Sequence, residues 1–250
     1  MSPEDQRYEQ GSAALLAGGA RAETAPVEGG GRWGPAAVLR PTGPVLEPLT
    51  ELANSVGAAA GAGHWVHHPA SLHFTLRALE PYRSSLPPTD PLRRAYAEAL
   101  DAAAAGIPAA RIELRGVCPH PAGVTVVGYP LDQTLATLQT RFAEELRARG
   151  AAGFESWVRD RWYVSLLHFA GPLADPASVV AWCDERRALP IGVVELDAVE
   201  IVRWHYTGTG VRLEALHHAG VGGQSSVWPM NSSVTSTGQR GLSTTSNSPQ

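Results

Sequence analysis

A histidine, a hydroxyl and a cation occupy alternate positions of one extended stretch, ASLHFTLRAL, at residues 70–79. Alternate residues of a β-strand point to the same face, so His73, Thr75 and Arg77 would share one face and the apolar side chains the other. The unperturbed pKa of a histidine, ~6.5, suits proton transfer near neutral pH. A neighbouring hydroxyl can donate to a phosphate oxygen, and a guanidinium can balance developing negative charge. The stretch therefore predicts one half of a site for acid–base chemistry on a phosphate ester.

A second extended stretch, RWYVSLLHFAG, repeats part of this pattern at residues 161–171. Tyr163 stands where the first stretch has its histidine, and Ser165 stands where it has its threonine. Arg161 shares their parity, so the three side chains would lie on one face. A guanidinium beside a phenol favours the phenolate, so we expect Tyr163 to be a weak general acid or a hydrogen-bond donor to phosphate. His168 has the opposite parity, and we expect it to face away from the site.

The segments around the two stretches follow the same order in both halves of the chain: helix, extended stretch, helix, hairpin. An Asp-Pro pair begins the helix after each stretch, at Asp90–Pro91 and at Asp175–Pro176. The offset of about 90 residues indicates a structural duplication rather than a short repeat. We predict a bilobal α+β fold, with two antiparallel sheets backed by helices and a central cleft. The lobes would span roughly 32–128 and 129–221, with elements that can be exchanged between them.

The two ends of the chain differ in composition from its middle. Residues 1–31 are rich in Gly, Ala and Glu, and we expect an irregular segment with a short helix near residues 12–22. Residues 222–250 are rich in Ser, Thr, Gly and Asn. A segment of that composition cannot bury enough apolar surface to fold, so we predict a disordered tail. The bilobal domain would then occupy residues 32–221.

Composition narrows the classes of partner. The formal net charge of −4 argues against an extended nucleic-acid surface, although a few local arginines suffice for one phosphate. Two cysteines, Cys118 and Cys183, make neither a disulfide framework nor a metal motif, which favours a reducing cytoplasm. No stretch approaches the ~20 apolar residues of a membrane span. The sequence has no phosphate-binding loop, dinucleotide fingerprint or nucleophile elbow. We expect a cytoplasmic monomer without metal or cofactor.

Other residues offer weaker alternatives. A second His-x-Thr match, His205 with Thr207, falls at a predicted turn and is a competing position for the second half of the site. A cluster of three histidines precedes the first stretch and suggests metal binding, but no carboxylate or cysteine lies at ligand spacing: His64, His67 and His68. Four aromatic residues are candidates to stack a nucleobase at the cleft mouth: Trp65, Tyr129, Trp204 and Tyr206.

The HFTL motif in a duplicated α+β frame resembles the two-histidine phosphoesterase superfamily, which includes the 2′-5′ RNA ligases, also called RNA 2′,3′-cyclic phosphodiesterases. The likeness covers residues 32–218, chiefly through the order of elements. It implies metal-free hydrolysis of a 2′,3′-cyclic phosphate or a 2′,5′ linkage, in which His73 transfers protons and Thr75 and Ser165 hold the phosphate. The family carries a histidine in each lobe, and this sequence has Tyr163 at the second position.

Three functions therefore stay open at the level of sequence. The first is a phosphodiesterase with His73 and Tyr163 as catalytic residues and Thr75, Ser165, Arg77 and Arg161 as substrate-binding residues. The second is a non-catalytic protein that binds nucleotides or RNA ends and has lost the second histidine. The third is a structural or interaction domain with a buried, inert His73. Under the first two, the partner is a small nucleotide or RNA-end phosphodiester.

Overall fold

The computed structural model describes residues 1–155 and 157–222. Within these ranges the chain forms five α-helices: α1 (Pro3–Leu16), α2 (Leu46–Ala60), α3 (Pro91–Ala104), α4 (Thr134–Ala148) and α5 (Pro176–Asp184). A short 3₁₀ helix, Gly43–Val45, precedes α2. The strands of the described residues are β1 (Ala36–Leu39), β2 (Trp65–Val66), β3 (Phe74–Ala78), β4 (Ala110–His120), β5 (Gly123–Pro130), β6 (Trp162–His168), β7 (Pro190–Leu196), β8 (Ala198–Tyr206) and β9 (Val211–Gly220).

The strands form two sheets. One has four strands in the order β3-β1-β8-β9, and the other has five in the order β2-β6-β5-β4-β7. Neighbouring strands pair in an antiparallel manner in both sheets. The predicted α+β fold with two antiparallel sheets and helices is confirmed.

The division of the chain between the sheets does not follow residue order. The four-stranded sheet takes β1 and β3 from the first half of the chain and the hairpin β8–β9 from its end. The five-stranded sheet takes the hairpin β4–β5, which the predicted boundary at residue 128 cuts. Each hairpin therefore pairs with strands from the other half. Long-range strand pairing sets this exchange, and local sequence does not specify which strands take part.

The first residues of the chain are not irregular as predicted. Helix α1 begins at an N-cap, Ser2, whose hydroxyl accepts from the Asp5 amide while the Asp5 carboxylate accepts from the Ser2 amide. Pro3 occupies the first helical position. The helix packs on β4 and α5, where it buries Tyr8 and Leu15. The prediction of an irregular segment is wrong for residues 3–11, because the capping signal lies before the glycines that suggested irregularity. The helix predicted near residues 12–22 begins earlier and ends at Leu16.

Each motif strand is followed by a helix that begins at a capping aspartate. The Asp90 carboxylate caps α3 by accepting from the amides of Leu92 and Arg93, and Asp175 caps α5. Phe74 and Leu76 of β3 enter the same large core as Leu166 of β6. The motif strands β3 and β6 lie against each other although they belong to different sheets. Their polar faces therefore meet between the lobes.

Among the described residues, no helix is long and apolar enough to cross a membrane. The predicted disordered tail lies, apart from Gly222, outside the described residues.

Candidate active site

A cavity of about 180 Å³ lies where β3 and β6 meet. Side chains from both motif strands line it, together with the segment before β1, the loop before β6 and one residue of β8. The lining residues are Gly31, Arg32, Trp33, Gly34, Ala36, His73, Thr75, Ala78, Phe154, Arg159, Tyr163, Ser165, His168 and Trp204. Four of the six predicted site residues are therefore brought together, and Arg77 and Arg161 are not among the lining residues.

His73 precedes β3 and is held in a defined orientation. Its Nδ1 lies 2.8 Å from the carbonyl oxygen of Ser71. A carbonyl only accepts, so Nδ1 carries the proton and Nε2 keeps its lone pair. The ring is half-buried, with its centroid 4.8 Å from that of Trp204. Burial lowers the pKa of His73 to about 4; the Ser71 carbonyl opposes this effect, and the charges of Arg159 and Arg40 reinforce it. At neutral pH the ring is an uncharged base.

Thr75 shares the cavity face with His73, as the alternation predicts, but Arg77 does not. The register between β1 and β3 shifts, so that Val38 pairs with Thr75 while the adjacent Ala37 pairs with Arg77. This bulge places one extra residue, Leu76, in β3 and turns Arg77 to the opposite face. Arg77 is 9% exposed and donates to the carbonyl of Glu155. The prediction that Arg77 shares the face of His73 is wrong, because the bulge breaks the two-residue period.

Tyr163 and Ser165 of β6 enter the cavity opposite His73 and Thr75. Ser165 is 7% exposed, and Tyr163 is half-buried. The Arg161 guanidinium lies over the ring of Tyr163, 5.2 Å from its centroid. Arg161 Nε also donates to a Glu4 carboxylate oxygen at 3.3 Å, so α1 holds this arginine behind the tyrosine. Arg161 therefore contacts a cavity residue without lining the cavity itself.

His168 also lines the cavity, contrary to the prediction from parity. In the pairing of β5 with β6, Thr125 pairs with Ser165 and Val124 pairs with Leu167. Leu166 is thus an extra residue on β6, and the bulge returns His168 to the face of Ser165. The side chain is 8% exposed, and its Nδ1 has no hydrogen-bond partner among the described residues. The prediction that His168 faces away is wrong for the same physical reason as that for Arg77.

The segment before β1 forms a wall that the sequence analysis missed. Of the non-glycine residues described, Trp33 alone has a positive φ, 63°. Its ring lies 5.0 Å from His168, edge-on, and 5.5 Å from Trp204. Its Nε1 donates to a carboxylate oxygen of Glu23 at 3.2 Å. A strained backbone that presents a large side chain to a polar cavity is a feature of ligand sites. In the sequence, a tryptophan within a Gly-rich segment was the signal that could have indicated this wall.

Two arginines line the cavity, Arg32 and Arg159, and neither is one of the two predicted arginines. Arg159 lies in the loop before β6, and one of its terminal nitrogens donates to Glu155 at 2.7 Å. Its Nε is buried without a hydrogen-bond partner among the described residues. A cation that lines the same cavity as the hydroxyls of Thr75 and Ser165 suits an anionic oxygen. A loop position has no strand parity, so the sequence pattern did not single it out.

The residues that the sequence offered as alternatives lie in different parts of the structure. His205 is exposed on β8 and pairs with Arg212, outside the cavity. Of the four predicted aromatic residues, Trp204 lines the cavity; Tyr129 lies under the Arg115 guanidinium elsewhere. Trp65 and Tyr206 pack together with ring centroids 5.6 Å apart.

The histidines before β3 do not form a metal centre. His67 is buried, with its Nδ1 3.0 Å from the Ser71 hydroxyl, and His64 accepts from the Ala170 amide. Among residues 1–155 and 157–222, no group of three or more His, Cys, Asp or Glu side chains is arranged to hold a metal ion.

Of the comparisons with known proteins, the one with solved structures identifies the fold. No protein-family model matches the sequence, and a search of curated proteins finds no match. The structure is similar to TT0787 of Thermus thermophilus, with a TM-score of 0.57 and 15% identity over 76% of this chain and 98% of that one. It is also similar to Escherichia coli LigT complexed with 3′-AMP and to a structure described as a phosphoesterase. Each has a TM-score of 0.53, 11% identity and the same coverage. The predicted resemblance is confirmed for the fold.

Proposed function

We propose that this protein is a phosphodiesterase that hydrolyses a 2′,3′-cyclic phosphate or a 2′,5′ linkage without a metal ion. One observation carries the proposal: the two motif strands bring His73 and Thr75 to face Tyr163 and Ser165 in one cavity. A base, several hydroxyl donors and two arginines around a cavity of about 180 Å³ constitute a site for phosphoryl chemistry. The similarity in fold to a structure described as a phosphoesterase supports this reaction class.

His73 is the general base of the proposed reaction. Its Nδ1–H is committed to the Ser71 carbonyl, so Nε2 is the nitrogen that takes a proton from the attacking water. Because its pKa is about 4, nearly every molecule carries the free base at pH 7. The nearby arginine charges also disfavour the imidazolium, so the ring releases the proton readily after the reaction.

The phosphate is held by hydroxyls and one guanidinium. Thr75 and Ser165 would donate to the non-bridging oxygens from opposite sides, and Tyr163 would donate from the position of the second motif histidine. Arg159 replaces Arg77 in this proposal, since Arg77 lies outside the cavity. Arg161 acts indirectly, by holding the phenol ring against which it stacks.

A nucleoside is the substrate class that fits the walls. Trp33 and Trp204 present aromatic surfaces next to the phosphate position, and aromatic side chains bind nucleobases by stacking. The complex of the similar LigT structure with 3′-AMP supports a nucleotide ligand. The net charge of −4 favours a small nucleotide or an RNA end over a long duplex. A cytoplasmic location and a monomeric state stay predictions.

The test is a panel of substrates measured in EDTA. The wild-type protein is incubated with the four 2′,3′-cyclic nucleotides, a 2′,5′-linked dinucleotide and a short RNA that ends in a cyclic phosphate. The proposal predicts hydrolysis of at least one class at a rate that EDTA does not change. Absence of turnover on the whole panel would contradict it.

Tyr163 favours a second candidate function, a nucleotide-binding protein without turnover. A phenol at the position of the second motif histidine is a weaker proton donor than an imidazolium. The two functions differ in the effect of Tyr163→Phe and Tyr163→His. In an enzyme, the loss of the hydroxyl lowers turnover while phosphate still binds. In a binder, no turnover exists to be lost, and Tyr163→His creates some.

A further inference from the structure

His168 is a buried polar side chain that lines the cavity. The bulge at Leu166 turns it to the face of Ser165, and it lines the cavity while being 8% exposed. Its Nδ1 is buried without a hydrogen-bond partner among the described residues. A buried polar atom left unpaired is unfavourable, and such atoms in native proteins often have a functional role. The ring thus lines the cavity while its Nδ1, on the side of Glu23, is left to pair when a charge arises on the imidazole.

The charged neighbours of His168 differ from those of His73. The nearest acidic atom is a carboxylate oxygen of Glu23, 3.9 Å from Nδ1. Glu23 is itself held by Arg32 and by the indole nitrogen of Trp33. The remaining groups that face His168 are the other imidazoles of the cluster and one arginine, and all of them disfavour its charged form: His67, His73, His120 and Arg32.

The surroundings of His168 and His73 suit the two imidazoles to different proton transfers. Burial and the neighbouring imidazoles hold the pKa of His168 well below its usual value in the free protein. An anionic phosphodiester in the cavity adds negative charge and raises that pKa. Glu23 stands beside Nδ1 to pair with the imidazolium that forms. His73 has instead a neutral carbonyl at its Nδ1 and the charges of Arg159 and Arg40 nearby. Two imidazoles with such different environments are suited to opposite roles.

We propose that His168 is the general acid that protonates the leaving oxygen, in place of the second motif histidine. This inference rests on the proposed function. His73 Nε2 removes a proton from water as the water oxygen bonds to phosphorus. The phosphorus–oxygen bond to the ribose breaks, and the imidazolium of His168 gives its Nε2 proton to that oxygen. His73 ends protonated and His168 neutral, and proton exchange with solvent restores both. An imidazolium is a far stronger acid than a phenol, whose ordinary pKa is ~10, so Tyr163 keeps the role of phosphate donor.

The experiment compares three variants on the best substrate of the panel. His168→Gln removes the proton donor and keeps a polar side chain of similar size. His205→Gln is the matched control, because His205 is an exposed imidazole on β8 that does not line the cavity. Tyr163→Phe tests the competing donor. The rate is measured between pH 4 and pH 9, and each variant is checked by circular dichroism and thermal melting.

We expect His168→Gln to lower kcat at pH 7 by 10²–10⁴-fold with little change in KM, and to abolish the fall of the rate at high pH. His205→Gln keeps the wild-type profile, and Tyr163→Phe keeps its high-pH limb. A His168→Gln variant with the wild-type rate and profile would overturn the inference, as would a high-pH limb that disappears only in Tyr163→Phe. An inactive wild-type protein would instead overturn the proposed function from which the inference starts.

A second variant carries the test if His168→Gln fails to fold. Glu23→Gln keeps His168 and removes the carboxylate that would stabilise its imidazolium. It should move the high-pH limb toward lower pH by one unit or more. An unmoved limb would overturn the assignment of His168 as the acid.

Discussion

Acidification should destabilise this protein because the fold holds His67 neutral. His67 is 5% exposed, and its ring centroid lies 5.1 Å from that of His168 and 6.0 Å from that of His73. Burial and the charge of His73 lower its pKa to about 3; a hydrogen bond with Ser71 opposes this effect, and the charge of His68 adds to it. The unfolded chain has the ordinary value of ~6.5. Below pH 6.5, His67 therefore binds a proton in the unfolded state and does not bind one in the native state.

The size of this effect follows from the difference between the two pKa values. Stability is complete above pH 6.5 and falls by ~1.4 kcal/mol per pH unit until the pH approaches 3. At pH 4.5, two units below the unfolded value, this histidine alone removes about 3 kcal/mol. Domains are stable by only ~5–15 kcal/mol, so the loss is a large share of the total. His73 and His120, whose pKa values are both lowered to about 4, act in the same direction.

The assay is urea unfolding at pH 7 and at pH 4.5 for the wild type, His67→Gln and His205→Gln. Glutamine does not titrate, so His67→Gln should lose about 3 kcal/mol less than the wild type between the two pH values. Carboxylate titrations are common to all three proteins and cancel in this comparison. The exposed His205 lies outside the cluster, so its variant should keep the wild-type pH dependence. A difference below about 1 kcal/mol between His67→Gln and the wild type would refute the reasoning.

Three further predictions concern single contacts. Gly34→Ala would place a Cβ 1.9 Å from the carbonyl oxygen of Glu80, so thermal melting should show a loss of more than about 2 kcal/mol; a neutral effect would contradict this packing. Asp90→Ala removes the N-cap of α3 and should cost about 1 kcal/mol in urea unfolding, whereas no change would mean that the cap is replaced. Arg159→Gln should weaken binding of inorganic phosphate about tenfold in calorimetry while Arg77→Gln leaves it unchanged, and the reverse order would place the phosphate elsewhere.

Local signals in the sequence were sufficient for several elements. Asp90–Pro91 and Asp175–Pro176 begin α3 and α5 where predicted, because capping and the fixed φ of proline act within one turn. The face shared by His73 and Thr75 also follows from the two-residue period of a strand. These features depend on residues that are neighbours along the chain.

Features set by pairing between distant segments escaped prediction. The bulges at Leu76 and Leu166 arise in the register with β1 and β5, and they reverse the expected faces of Arg77 and His168. The same limit applies to loops, where no period assigns a direction to a side chain such as Arg159. The two strand halves of the candidate site were therefore predictable, while its arginines came from irregular segments and its second imidazole from a bulge.

The central claim is metal-free catalysis with His73 as the base. The most direct measurement is the initial rate of 2′,3′-cyclic nucleotide hydrolysis at pH 7 in EDTA for the wild type, His73→Ala and His205→Ala. The account predicts that EDTA leaves the wild-type rate unchanged, that His73→Ala lowers it by 10²–10⁴-fold, and that His205→Ala matches the wild type. A His73→Ala protein that turns over at the wild-type rate, or a wild-type rate that EDTA abolishes, would contradict it.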